Sequence, residues 1–169
     1  MVVLSIEDRN RRTANQLLNA AMNYARLILI KYGQTAPFGF SMSREGEVAR
    51  ETLEIPRLPS DPNRLWKLLS EHMAERVRRG QVQAVVMAAN VSLTEASAEG
   101  YRDAMLLDIE EQSGYAVEVT IPYRVYGGQL RNLLPRRIAL GKMVVEESDC
   151  RFFGGTAGAA GVGPAGRKS

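Results

Sequence analysis

Three carboxylates between residues 103 and 123 have the spacing to act together: Asp108, Glu110 and Glu118. In D-A-M-L-L-D-I-E-E, residues 103–111, Met105, Leu107 and Ile109 alternate with Asp108 and Glu110. That is the rhythm of a half-buried strand, and it sends both acids to one side. A Gln112-Ser113-Gly114 turn follows, and then Tyr115, Val117, Val119 and Ile121 alternate with Glu118 and Thr120. The pair reads as an antiparallel hairpin. Facing side chains in such a pair lie about 5 Å apart. Acids that close can do acid–base work or share a hard cation. On an open sheet face they are more often simply solvated. Tyr123, after Pro122, adds a hydroxyl at the strand end, so the candidate ligand-binding set is Asp108, Glu110, Glu118 and Tyr123.

The other reactive side chains are sparse. His72 is the only histidine, and Arg76 occupies its i+4 position, where a zinc pair or a helical carboxylate partner would stand. A packing role is expected for it. Cys150 follows Asp149 without an adjacent base or cation to activate it, so a structural thiol is expected. Basic clusters at 9–12, 76–79 and 130–137 are interspersed with acids, and aromatics are only 7% of the chain, which disfavours a nucleic-acid surface. The glycines after Phe153 precede no Gly-Lys-Ser/Thr and make no phosphate loop. No catalytic set, metal site or cofactor is expected.

The elements that must position these groups follow from periodicity. Ala14, Leu17, Leu18, Ala21, Ala25, Ile28, Leu29 and Tyr32 mark one face of a helix over 8–32, stopped at Gly33. Tyr24, Leu27 and Ile30 widen its apolar arc beyond what one sheet face needs, so they are expected to form a homodimer interface. Phe38, Phe40 and Met42 alternate with small residues, and Arg44-Glu45-Gly46 turns the chain into a return strand ending near Ile55. Pro56, Pro59 and Pro62 mark a surface connection, with Ser60 or Asp61 capping a helix over 62–79. Residues 82–91 are nearly all apolar, as in a central strand covered on both faces. A polar loop over 92–101, the hairpin, a basic loop or short helix over 126–137 and a strand over 138–153, ending at Phe152 and Phe153, complete one domain, 1–153. The Gly/Ala-rich stretch 154–169 lacks periodicity and is expected to be disordered.

The class is therefore α+β, in the order α-β-β-α-β-β-β. The sheet is antiparallel, with five strands, or six if residues 138–153 return as one more, and helices cover at least one face. Profilin-like and roadblock-like domains share this order, as an analogy of fold alone. At 169 residues the chain suits one domain. No apolar run approaches about 18 residues, so no membrane span is expected. The first twelve residues lack the basic-then-apolar order of a secretory signal. A lone cysteine fits a reducing cytoplasm.

Several short motifs also carry a resemblance. P-F-G at 37–39, R-E-G at 44–46, A-V-V-M-A-A-N-V at 84–91, D-A-M-L-L-D-I-E at 103–110, G-Y-A-V-E-V-T-I-P-Y at 114–123 and D-C-R-F-F at 149–153 are similar to those of a family of small, uncharacterised bacterial proteins. The resemblance spans residues 12–153 and implies no particular activity. On residues alone, the expected function is a non-catalytic binding or protein-interaction module acting as a homodimer. Its alternatives are a small-molecule sensor with a pocket between sheet and helix, and an enzyme using Asp108, Glu110 and Glu118.

Overall fold

A computed structural model describes residues 6–128 and 133–154. The expectations for the tail beyond residue 154 and for the centre of the basic loop lie outside the described residues. Two helices and seven strands run in the order α1 (Ile6–Tyr32), β1 (Phe38–Ser43), β2 (Val48–Glu51), α2 (Pro62–Arg78), β3 (Val82–Ser92), β4 (Asp103–Glu111), β5 (Ala116–Tyr126), β6 (Arg137–Leu140) and β7 (Val144–Glu147). The fold is α+β, and every described strand pairing is antiparallel. The sheet runs β2-β1-β3-β4-β5-β6, with β7 also paired to β5. The region 138–153 thus holds two short strands, on different halves of long β5: β6 pairs with 123–126 and β7 with 117–120. Phe152 and Phe153 end no strand. They pack beside α2 instead.

Strand β3 explains the layering. Val82 and every residue from Ala84 to Ala88 are buried, so neither face can meet water. Ala84, Val86 and Ala88 lie in one core with Leu17, Ala21, Ala25 and Leu29 of α1. Val85 and Met87, pointing the other way, meet Leu65, Leu69 and Met73 of α2. Helix α1 is about 40 Å long at 1.5 Å per residue and packs across β1, β3 and β4. Helix α2 packs mainly on β3 and β1 on its side. Asp61 caps it, its carboxylate accepting from Asn63 N at 3.1 Å, with Pro62 in the first turn. No helix among the described residues is long and apolar enough to cross a membrane.

Gly39 shows how tightly α2 sits. A Cβ there would meet Met73 Cε at 2.5 Å and the Val86 carbonyl oxygen at 3.1 Å. The methionine end can swing away, but the β3 backbone cannot. Gly39→Val should therefore cost about 1–3 kcal/mol, read as a lower urea midpoint; an unchanged midpoint would mean that α2 lifts freely from the sheet.

Candidate functional site

Alternation along β4 sends Met105, Leu107 and Ile109 under α1 and Asp108 and Glu110 to the α2 side. Helix α2 stops short of these strands, so another element covers the acids. After β7 the chain folds back as a strap, residues 148–154, beginning with Ser148 N bonded to the Ala116 carbonyl. Arg151 Nη2 donates to Asp108 Oδ2 at 2.5 Å. The backbone N–H groups of Phe152 and Phe153 donate to Glu110 Oε1 at 2.8 and 3.4 Å. The two phenyl rings pack against the small core beneath α2. The acids are therefore buried, Asp108 at 5% exposed and Glu110 at 2%, rather than solvated.

Their surroundings differ. Glu110 receives two backbone donors. Asp108 receives one guanidinium, on Oδ2, while its buried Oδ1 has no donor. Glu118 stands directly across the ladder from Asp108. Burial pushes the Asp108 carboxyl up to about 6; Arg151 opposes the shift, and the like charges of Glu118 and Glu110 add to it. Asp108 also lines an open cleft of about 520 Å³ between the sheet and the first turns of α2. The facing wall carries Asn63 and Trp66, and Gln34, Thr35 and Arg151 complete it. Trp66 is the chain's only tryptophan.

Tyr123 does not join this group. Its side chain lies in the α1 core, on the opposite face of the sheet, and its hydroxyl donates to Asn90 Oδ1 at 2.7 Å. Burial, with Asp103 nearby, pushes the phenol up to about 12. At Cys150, burial first, then Glu110, pushes the thiol up to about 11, and Sγ bonds the Gly114 carbonyl at 3.3 Å.

A second polar cluster was not apparent in the sequence. Glu51, at the end of edge strand β2, accepts from Ser41 Oγ at 2.5 Å, from His72 Nε2 at 2.7 Å and from Arg76 Nη2 at 3.1 Å. Burial alone would raise its carboxyl, but the bonds from Ser41 and His72 and the charge of Arg76 hold it below the ordinary value. Serine and histidine both bind the carboxylate, so the imidazole is not placed as a base for the hydroxyl. The cluster ties β2 to α2. Its one signal in the sequence was the position of His72 on the inward face of the helix. Among the described residues no group of three His, Cys, Asp or Glu side chains could hold a metal ion.

Of the expected interface residues, Tyr24 packs on its own molecule, edge-on to Phe38 and Phe40 at centroid distances of 4.7 and 5.8 Å. Leu27 and Ile30 are exposed. Comparison with known proteins returns no match: no protein-family model, no curated protein and no solved structure. The short-motif resemblance brings no activity with it, so function rests on the site.

Asp108 has a further consequence for stability. An acid with a raised folded-state pKa takes up a proton on folding, so stability falls as pH rises from about 4 to about 6 and stays lower above that. Two pH units correspond to up to about 3 kcal/mol. Asp108→Asn should flatten this slope and leave the protein at least as stable as the wild type at pH 7.5. Chemical denaturation across pH 4–8 measures it; parallel curves for the two proteins would contradict the assignment.

Proposed function

We propose that this is a non-catalytic small-molecule-binding domain, and that its site is the cleft floored by Asp108. The observation that carries the reading is Asp108: the residue lines a cleft of ligand size, and its Oδ1, just beneath that surface, is buried without a donor. A buried acceptor without a partner costs free energy that an incoming donor restores. The local charge favours a cation, since Asp108, Glu110 and Glu118 outnumber Arg151. An anion at the α2 terminus is disfavoured because the Asp61 carboxylate already occupies the cap. Trp66 adds an aromatic wall, suited to the face of a cation or to a flat ring. The ligand class is therefore a small organic cation, an amine, amidine or guanidine, with an apolar or aromatic body. Arg151 is a built-in stand-in for such a ligand: its guanidinium reaches Asp108 from a side chain that is 57% exposed, and a ligand can displace it.

Trp66 makes the test direct, because it is the only indole and lines the cleft. Benzamidine and phenethylamine should change its fluorescence saturably at pH 7.5, and benzoate should not. Asp108→Asn should weaken the amidine at least tenfold. Affinity should also drop below about pH 6, as the Asp108 carboxyl takes up its proton. Absence of saturation, or equal affinity in Asp108→Asn, would remove the proposal.

A second reading, self-association through α1, draws support from Leu27 at 68% and Ile30 at 40% exposed. Under it, sedimentation at high micromolar concentration shows a dimer that Leu27→Glu returns to monomer. A wild-type monomer at that concentration rejects it.

A further inference from the structure

A second cleft opens around the sheet edge at β2, and it has a different chemistry. It is a groove of about 520 Å³ between the last turns of α1, the segment after β2 and the first turns of α2. Tyr24, Tyr32, Phe38, Leu53, Ile55 and Leu58 are among the large apolar side chains of its lining. Tyr32, Ile55 and Leu58 are large side chains exposed at its margin. Apolar surface gathered this way marks a place where something apolar is taken up.

The two charged residues in the lining indicate what the apolar occupant carries at its end. Glu51 is neutralised by its three donors, Ser41, His72 and Arg76, and so offers nothing to a ligand. Arg50 points the other way from β2. Its guanidinium lies 5.0 Å from the centroid of the Tyr24 ring and touches the Tyr24 hydroxyl at 3.4 Å. It makes no ion pair among the described residues. The ring holds this planar fork in place, exposed, with its positive charge uncompensated. Such a fork matches a carboxylate through two parallel hydrogen bonds. The Asp108 cleft adjoins on the far side of Thr35 and Pro37 but has the opposite polarity, an acid excess instead of a lone cation.

We propose that this groove is a separate site for a free alkyl carboxylate of the fatty-acid type. The chain lies along the Tyr32–Ile55–Leu58 side and the carboxylate pairs with Arg50. The proposal does not depend on the Asp108 site.

Calorimetry with decanoate, below its micelle-forming concentration, tests it on the full chain. Decanoate should bind saturably at one per chain. Octanoate should bind more weakly, by about fourfold for each methylene lost. Arg50→Gln should weaken decanoate at least tenfold and leave decanol unchanged. Leu58→Asp should weaken both. Both substituted side chains are exposed, and a far-ultraviolet spectrum and melting curve like those of the wild type confirm that each variant is folded. Benzamidine read through Trp66 should be unaffected by Arg50→Gln, which separates failure here from failure at Asp108. The proposal is overturned if decanoate shows no saturation, if decyltrimethylammonium binds as tightly as decanoate, or if Arg50→Gln binds decanoate like the wild type. It is equally overturned if the groove proves to be filled by a second copy, seen as a dimer that Leu58→Asp dissociates and decanoate does not.

Discussion

Burial of β3 on both faces is the constraint that the other elements satisfy. From Ala84 to Ala88 the strand offers no side chain that tolerates water, so each face needs its own apolar cover. Helix α1, with 27 residues, spans one side of β1, β3 and β4. Helix α2, with 17, covers β3 and β1, reaches β2 through His72 and Arg76, and stops short of β4 and β5. The shortfall leaves part of β4 and β5 without helical cover on that side. The polar residues of the second hairpin fall on this remainder, and the strap closes over it with a guanidinium and two backbone N–H groups.

The sheet therefore carries buried acids on its α2 face in two different states. Glu51 is supplied by three donors, and its charge is the more stable form inside the fold. Asp108 is supplied by one, faces Glu118 across the ladder, and holds its proton up to about pH 6. A fully supplied buried acid fastens one element to another. A partly supplied one beside an open cleft is where a partner's contribution would count most. Burial alone does not separate the two roles; the donor inventory does.

Much of the fold could be read from local patterns. The heptad-like spacing of α1, the Asp61-Pro62 start of α2, the two hairpins and the unbroken apolar run of β3 all depend on neighbours within a few residues. The grouping of Asp108, Glu110 and Glu118 on one face follows from strand alternation. The same alternation separates Tyr123 from them, since it lies five positions from Glu118 and an odd step changes face. What sequence could not give was the long-range cover. The bonds from Glu51 to His72 and from Glu110 to Phe152 join residues 21 and 42 positions apart. No periodicity marks either contact. The acids consequently read as solvated, and Phe152 and Phe153 as the end of a strand. Tyr24 read as an outward stripe because its ring partners, Phe38 and Phe40, lie on the sheet.

The strap gives the order of synthesis a chemical meaning. Asp108 is made 43 residues before Arg151, and the hairpin that holds it is complete before β6 and β7 exist. Without the strap, the α2 face of the sheet at Asp108 and Glu110 would be bare, and water could hydrate both carboxylates. Arrival of Arg151 and the two phenylalanines exchanges that water for one guanidinium, two amides and two rings. Dehydration of the acids therefore requires residues 151–153, and the cleft has its Arg151 wall only when nearly all of the described chain has been made.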